Sequence, residues 1–224
     1  MKFLPTTKEE MKNLGWDSID VLLISGDTYL DTSYNGSALI GKWLVEHGFK
    51  VGIIAQPEVD VPDDITRLGE PNLFFAVSGG CVDSMVANYT ATKKRRQQDD
   101  FTPGGVNNKR PDRAVLVYSN MIRRFFKGTT KKIVISGIES SLRRITHYDY
   151  WTNKLRKPIL FDAKADILSY GMGEMSMLEL ANALKNGEDW KNIRGLCYLS
   201  KEMKEDYLSL PSHSECLADK DKFI

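Results

Sequence analysis

Four apolar runs in this chain each end in a glycine-bearing turn with an acidic residue close behind. They are Val21-Leu-Leu-Ile-Ser-Gly-Asp27, Phe74-Phe-Ala-Val-Ser-Gly-Gly-Cys-Val-Asp83, Ile133-Val-Ile-Ser-Gly-Ile-Glu139 and Ile167-Leu-Ser-Tyr-Gly-Met-Gly-Glu174. In an open α/β sheet the ligand crevice lies outside the carboxyl ends of the strands. Glycine at such an end lets the backbone approach a ligand closely, and the following helix offers free amides to anionic groups. The pattern predicts a domain shaped to hold a nucleotide-sized or corrinoid-sized molecule. No cluster of catalytic or metal-ligand residues accompanies it.

The order of elements agrees. A strand at 21–25, a helix over about 37–47 with Leu39, Ile40, Trp43 and Leu44 on one face, a stop at Gly48 and a strand at 51–55 make one βαβ unit. Such units require a parallel pair and a right-handed crossover. A short helix near 64–68, a strand at 73–77 and a helix opening near Asp83 follow. Residues 93–113 carry a run of Lys and Arg, then Pro103-Gly104-Gly105 and Asn107-Asn108, and read as a long loop or flexible excursion. Helical spacing of Ala114, Val117, Tyr118, Met121, Ile122 and Phe125 predicts a helix over 112–126, with a strand at 115–118 as the competing reading. Strands are expected at 132–136, 167–170 and 196–199, and a helix through Met177, Leu180, Ala181 and Leu184. A last helix should begin at the capping-box pattern Ser212-His-Ser-Glu215. Residues 142–157 show no clean period. The fold class expected is α/β: an open, mostly parallel, doubly wound sheet, Rossmann-like and similar to cobalamin-binding domains.

Charge and composition exclude several functions. A chain of 224 residues with net charge +1 gives no bulk electrostatic case for nucleic acid or membrane. No apolar run approaches the roughly 20 residues a bilayer span needs. Lys8-Glu9-Glu10 follows directly on Met1–Pro5, where a signal peptide would place its apolar region, so a cytoplasmic location is expected. Cys81, Cys197 and Cys216 are widely separated, which suits neither a disulfide framework nor a zinc or iron–sulfur site of standard spacing.

The candidate ligand-binding residues sit in the glycine turns: Asp27, Asp31, Ser33, Gly36, Ser78, Gly79, Gly80, Gly137, Glu139, Gly171, Gly173 and Glu174. Asp31-x-Ser33-x-x-Gly36 is a near miss for the Asp-x-His-x-x-Gly loop of cobalamin-binding domains, and Ser33 cannot ligate cobalt as that histidine can. Asx-turns and helix caps are the plainer reading of the same loop. Successive amides at Ser78-Gly79-Gly80 and in 136–141 can form an anion nest; equally, the glycines can serve tight turns alone. Arg143, Arg144, His147 and Tyr150 belong to a dense polar-aromatic cluster suited either to substrate contact or to packing against another domain. The basic run Lys93–Arg96, with Lys109, Arg110 and Arg113, lacks interleaved aromatic residues, so it reads as a solvated face and nucleic acid is not the expected partner.

Together these segments resemble the amino-terminal part of the YgiQ family of radical-SAM proteins. The resemblance rests on Ile24–Asp31, Gly48–Pro57, Val77–Gly80, Thr102–Gly105, Arg110–Ala114, Tyr118–Asn120, Gly137–Arg144, His147–Trp151, Lys164–Asp166 and Tyr170–Glu174, in order, from about Phe3 onward. The pairing of Gly-Ile-Glu-Ser-Ser-Leu-Arg-Arg with His-Tyr-Asp-Tyr-Trp is its most specific part. The resemblance implies a corrinoid-binding-like domain over 1–190, then a connecting segment and the start of a radical-SAM domain over 191–224. It implies a radical-SAM enzyme of unassigned substrate for the full-length protein. The core on the same polypeptide would use a [4Fe–4S] cluster and S-adenosylmethionine; cobalamin would have to bind without a histidine ligand. This chain contains no CxxxCxxC motif. Two departures stand out: Asp31-Thr-Ser-Tyr-Asn-Gly36 replaces the family's Asp-His-Pro-Ser-Phe-Gly, and Cys81 stands where the family commonly has asparagine. A binding module without catalysis, taking a corrinoid or a nucleotide, and an RNA-modifying protein using the basic loop are the alternatives.

Overall fold

The computed structural model describes residues 3–29, 36–203, 205 and 207–223. In chain order the elements are α1 (Lys8–Asn13), β1 (Val21–Ser25), α2 (Gly36–Glu46), β2 (Val51–Ala55), α3 (Pro62–Thr66), β3 (Phe74–Ser78) and α4 (Ser84–Asn88). There follow α5 (Ala114–Phe125), β4 (Lys132–Ser136), α6 (Gly137–Leu142), a hairpin of β5 (His147–Asp149) and β6 (Lys154–Arg156), α7 (Ile159–Ala163), β7 (Ile167–Ser169), α8 (Glu174–Asn186), β8 (Leu196–Tyr198) and α9 (His213–Ala218). The main sheet runs β2-β1-β3-β4-β7-β8. All its pairings are parallel except the last, in which β8 adds an antiparallel edge beyond residue 190.

Strand residues alternate between two cores, as the two-residue period of a strand requires. Leu22, Ile24, Phe75, Val77, Ile133 and Ile135 face α3, α5 and α7, against Ile65, Tyr118, Ile122 and Leu160. Val21, Leu23, Ile53, Phe74, Ala76 and Val134 face α2 and α8, against Leu44, Met177 and Leu180. With β2 on one side of β1 and β3 on the other, the connections change face between α2 and α3, which opens a switch point at the upper ends of β1 and β3. The sheet is therefore α/β, mostly parallel and doubly wound.

Helix 112–126 forms as expected, as α5, and the competing strand does not. Its period puts Val115, Tyr118, Met121 and Ile122 together in the core. Pro62 in the first turn starts α3 slightly earlier than the apolar pattern suggests. Helix α1 has no counterpart in the apolar pattern and is marked instead by a capping box, Thr7 with Glu10. The aperiodic stretch 142–157 holds the β5–β6 hairpin.

Segment 93–113 is not a flexible excursion. Asp99, Thr102, Asn107 and Arg110 are buried within it. Asn107 Nδ2 donates to the carbonyls of Asn88 at 3.2 Å and Arg96 at 3.0 Å, and Gln56 Nε2 donates to Thr102 Oγ1 at 2.7 Å. Polar composition disguised a folded loop whose hydrogen bonds are made inside the protein. Among the described residues no helix is long and apolar enough to cross a membrane.

Phe75 is fully buried in the central strand and packs its ring on Phe126 at 4.8 Å. Phe75→Ala is expected to cost about 3–5 kcal/mol of unfolding free energy in a denaturant titration. A loss below about 1 kcal/mol would mean that this face of the sheet is not close-packed.

Candidate functional site

Because β1, β3 and β4 pair in register, Ser25, Ser78 and Ser136 stand side by side at their upper ends. With Ser169 at the end of β7 they line a cavity of about 370 Å³ at the switch point. Leu23 and Ala76 reach it from the strands, Leu39 and Ile40 from α2, Met177 from α8, and Ile138 and Met172 at the mouth. Ser25 Oγ accepts the Asp27 amide at 3.1 Å, Ser78 Oγ accepts the Gly80 amide at 3.2 Å, and the Ser169 and Ser176 hydroxyls meet at 2.9 Å. A hydroxyl that accepts from an amide keeps its own proton to donate. Gly80 at φ +114° and Gly137 at φ +82° hold left-handed conformations that open the turns, which side chains rarely adopt.

Of the residues picked out by sequence, Asp27, Gly36, Ser78, Gly80, Gly137, Gly171, Gly173 and Glu174 line this cavity. Asp31 and Ser33 lie outside the described residues. Gly79 is one step below the surface, packed so closely on the Glu139 carboxylate that a Cβ would not fit.

Glu139 does not line the cavity. It is 1% exposed, and its two oxygens accept the amides of Ser84 at 3.0 Å and Val115 at 3.3 Å, in the first turns of α4 and α5. Burial raises its pKa, with Asp83 adding to the effect.

Asp27 is tied in a similar way. Its Oδ2 accepts the Cys81 amide at 2.6 Å and its Oδ1 lies 2.7 Å from Arg110 Nη2. The same Nη2 is 3.3 Å from Asp99 Oδ2, so one buried guanidinium serves two buried carboxylates. Burial raises the Asp27 pKa by more than Arg110 and the Cys81 amide lower it. Burial and the neighbouring Asp27 push the Cys81 thiol up to about 12, so it is not a nucleophile. Arg110 is the functional neighbour that sequence reasoning misplaced among the surface cations. Its signal was the Arg-Pro-Asp-Arg-Ala segment in the family resemblance.

The structure does not bring Arg143, Arg144, His147 or Tyr150 into the cavity lining. Arg143 pairs with Asp83, the cap of α4, and donates to the Glu139 carbonyl at 3.2 Å. Arg144 lies over the Tyr170 ring at 5.3 Å, beside the mouth. His147 is half-buried in β5, where burial lowers its pKa, and Tyr150 donates to the Ala91 carbonyl at 2.7 Å.

The described lining thus carries Glu174 and the paired Asp27 but no Lys, Arg or His. Apolar walls, a hydroxyl floor and no cation suit an uncharged or hydrogen-bond-donating group better than a phosphate. Among the described residues no group of three or more His, Cys, Asp or Glu is placed to hold a metal ion.

Residues 3–224 match the protein family described as Radical SAM N-terminal. The chain belongs to that family. It is 97% identical, over 224 residues, to a UPF0313 protein of Fusobacterium nucleatum subsp. nucleatum. It is 54% identical over 224 residues to one of Thermotoga neapolitana and 50% identical over 230 residues to one of Methanocaldococcus jannaschii. The first two alignments span all and 99% of this chain but only 39% of the relatives' length. The YgiQ-type resemblance is borne out. Among solved structures the fold is similar to the radical S-adenosylmethionine methyltransferase TsrM of Kitasatospora setae with cobalamin and a [4Fe–4S] cluster bound. There the TM-score is 0.56 at 18% identity, over 82% of this chain and 28% of that one. A second TsrM structure, with tryptophan and a SAM analogue, gives 0.53 at 17% identity, over 81% and 28%. At that identity the likeness concerns the fold.

Two outcomes test this electrostatic picture. Arg110→Met leaves Asp27 and Asp99 buried without a cation and should cost about 3–5 kcal/mol, measured by chemical denaturation. For Glu139 the folded pKa lies above the unfolded one, so its contribution is full at acid pH and declines as pH rises through the folded value. The stability advantage of the wild type over Glu139→Gln should therefore shrink between acid and neutral pH. An advantage that grows with pH would show that the two helix amides outweigh burial.

Proposed function

We propose that this chain is the accessory α/β domain of a radical-SAM protein, and that its strand-end cavity receives an uncharged portion of a corrinoid or a substrate of similar chemistry. The cavity itself carries the reading: a preformed pocket of about 370 Å³ at the switch point, floored by serine hydroxyls and walled by Leu23, Leu39, Ile40 and Met177. A volume of that size takes a side group of a large cofactor rather than the whole of it. The TsrM likeness supports the reading, since that protein is seen with cobalamin bound.

The residues fit the candidate groups unequally. Gly80, Gly137 and the serines suit amide or heterocyclic edges, which accept and donate hydrogen bonds without charge. Cys81, Cys197 and Cys216 sit on separate elements and do not fit a [4Fe–4S] cluster. The cluster and S-adenosylmethionine therefore belong, in this reading, to the remainder of the polypeptide, as the much longer relatives suggest. When bound there, they would supply the radical chemistry. The part of this chain is to bind, orient and exclude water. Residues 191–224 would lead toward that core.

The test uses the full-length protein incubated with hydroxocobalamin, desalted, and read by visible absorbance. Wild type should retain the corrinoid. Leu39→Trp, at the exposed mouth, and Gly137→Val, at the floor, should each weaken retention by about tenfold or more, equivalent to about 1.4 kcal/mol. No retention by the wild type would remove the corrinoid reading and leave the cavity to a substrate.

A further inference from the structure

The basic run that reads in sequence as a solvated face lies, in the fold, against aromatic residues from a distant segment. Residues 90–94 form a tight turn in which the Lys93 amide donates to the Thr90 carbonyl and the Thr90 amide to the Lys94 carbonyl, each at 2.9 Å. That turn is clamped onto the end of the β5–β6 hairpin. Lys93 Nζ donates to the Trp151 carbonyl at 3.3 Å, 58 residues along the chain, and Tyr150 Oη donates to the Ala91 carbonyl at 2.7 Å. The Lys93 ammonium sits 4.7 Å from the centre of the Tyr150 ring, while Trp151 packs between Tyr89 at 4.9 Å and Tyr150 at 5.7 Å. Lys93 is thus held against the rings of Tyr150 and Trp151.

Two further facts give this face a binding character. Tyr148 and Tyr150 are each 49% exposed, with their hydroxyls already hydrogen-bonded to Asn153 and Ala91. On Tyr148 the ring area, rather than the hydroxyl, is what remains to be covered; one face of the Tyr150 ring is already taken by Lys93. Lys93, Lys94 and Arg96 are exposed and form no ion pair with a described carboxylate, Arg96 donating through Nε to the carbonyls of Val86 at 3.2 Å and Tyr89 at 3.1 Å; Arg95 alone of the run has an ion pair, to Asp112 at 3.6 Å. None of these residues lines the strand-end cavity.

We infer that this face, made by residues 90–96 and the β5–β6 hairpin, binds single-stranded nucleic acid. Lys93, Lys94 and Arg96 meet backbone phosphates, and the rings of Tyr148 and Tyr150 stack on bases. Single strands are favoured because only unpaired bases offer their flat faces to protruding rings. The compact set of cations supplies a salt-sensitive electrostatic contribution. The inference is independent of the ligand in the cavity.

The experiment is fluorescence anisotropy of the full-length protein with labelled oligouridylate and oligothymidylate of roughly 20 nucleotides. Salt is varied from about 50 to about 200 mM. Both oligomers should bind, more weakly as salt rises. Tyr148→Ala should weaken binding by about tenfold while leaving the salt dependence unchanged. Lys94→Gln should reduce the log–log salt slope by about 0.7. Lys12→Gln, on α1, and Leu39→Trp, at the strand-end cavity, should each leave oligonucleotide binding unchanged. Circular dichroism of each variant checks that it is folded. The inference is overturned if neither oligomer binds at low salt, as when the rest of the polypeptide covers this face. It is equally overturned if Tyr148→Ala and Lys94→Gln bind like wild type, or if a duplex or anionic vesicles bind more tightly than the single strands.

Discussion

The register of the parallel strands sets the geometry of everything above them. Val21 pairs with Phe74, and Phe74 with Lys132, and each strand is five residues long, so all three end at one level on a serine. A shift of one residue would turn the inward-facing set of a strand to its other face. With both faces buried against helices, that shift would set side chains of the wrong size into each of two close-packed cores. The two apolar cores therefore fix the register, and the register places three glycine turns side by side. At that point the Gly79 backbone lies so close to Gly26 that a Cβ on Gly26 would run into the Gly79 carbonyl, while one on Gly79 would run into the Glu139 carboxylate. The cavity follows from core packing before any ligand is considered.

Above the strand ends, carboxylates occupy the helix starts and glycine turns that sequence patterns offer to an anionic ligand. The amide of Cys81 is used by Asp27, and the first amides of α4 and α5 by Glu139. Asp83 caps α4 through the Met85 amide at 2.9 Å and pairs with Arg143. A buried carboxylate costs free energy unless hydrogen bonds or a cation compensate it, and here each has both or one of these. Arg110 does this for Asp27 and Asp99 together. It thereby joins the loop 93–113 to the floor of the crevice.

Much of this was legible in the sequence, for identifiable reasons. The strands at 21–25 and 132–136 are apolar runs that end in glycine turns, the one at 51–55 lies between Gly48 and Pro57, and the structure places all three there. The period of α5 outweighed its β-branched valines because Tyr118, Met121 and Ile122 need one common face. What stayed hidden depends on partners far apart in sequence. Arg110 looks like one more surface cation until Asp27 and Asp99 are seen around it. Tyr150 and Trp151 lie nowhere near Lys93 in the chain, so the absence of interleaved aromatics said little about the surface. Glu139 followed a glycine turn and looked like a ligand residue, yet its side chain turns beneath that turn to two helix starts.

The consequence reaches the chemistry. A glycine turn followed by an acid is ordinarily taken to advertise a ligand contact, yet two of the acids here accept backbone amides of neighbouring turns and helix starts. With those amides occupied, three of the turns offer less to a phosphate, and the described lining retains hydroxyls, methylenes and the carboxylate of Glu174, which forms no ion pair with a described residue. The thiol of Cys81 is held far from ionisation, and Asp27 is committed to Arg110. In the proposed role, selectivity would come from shape and from hydrogen bonds to the serine hydroxyls. Its preorganised floor lowers the entropic cost of holding a partner in one orientation. In the function proposed above, a domain with those properties would position a molecule for chemistry performed by other groups, a division of labour consistent with its parallel sheet and its uncharged cavity floor.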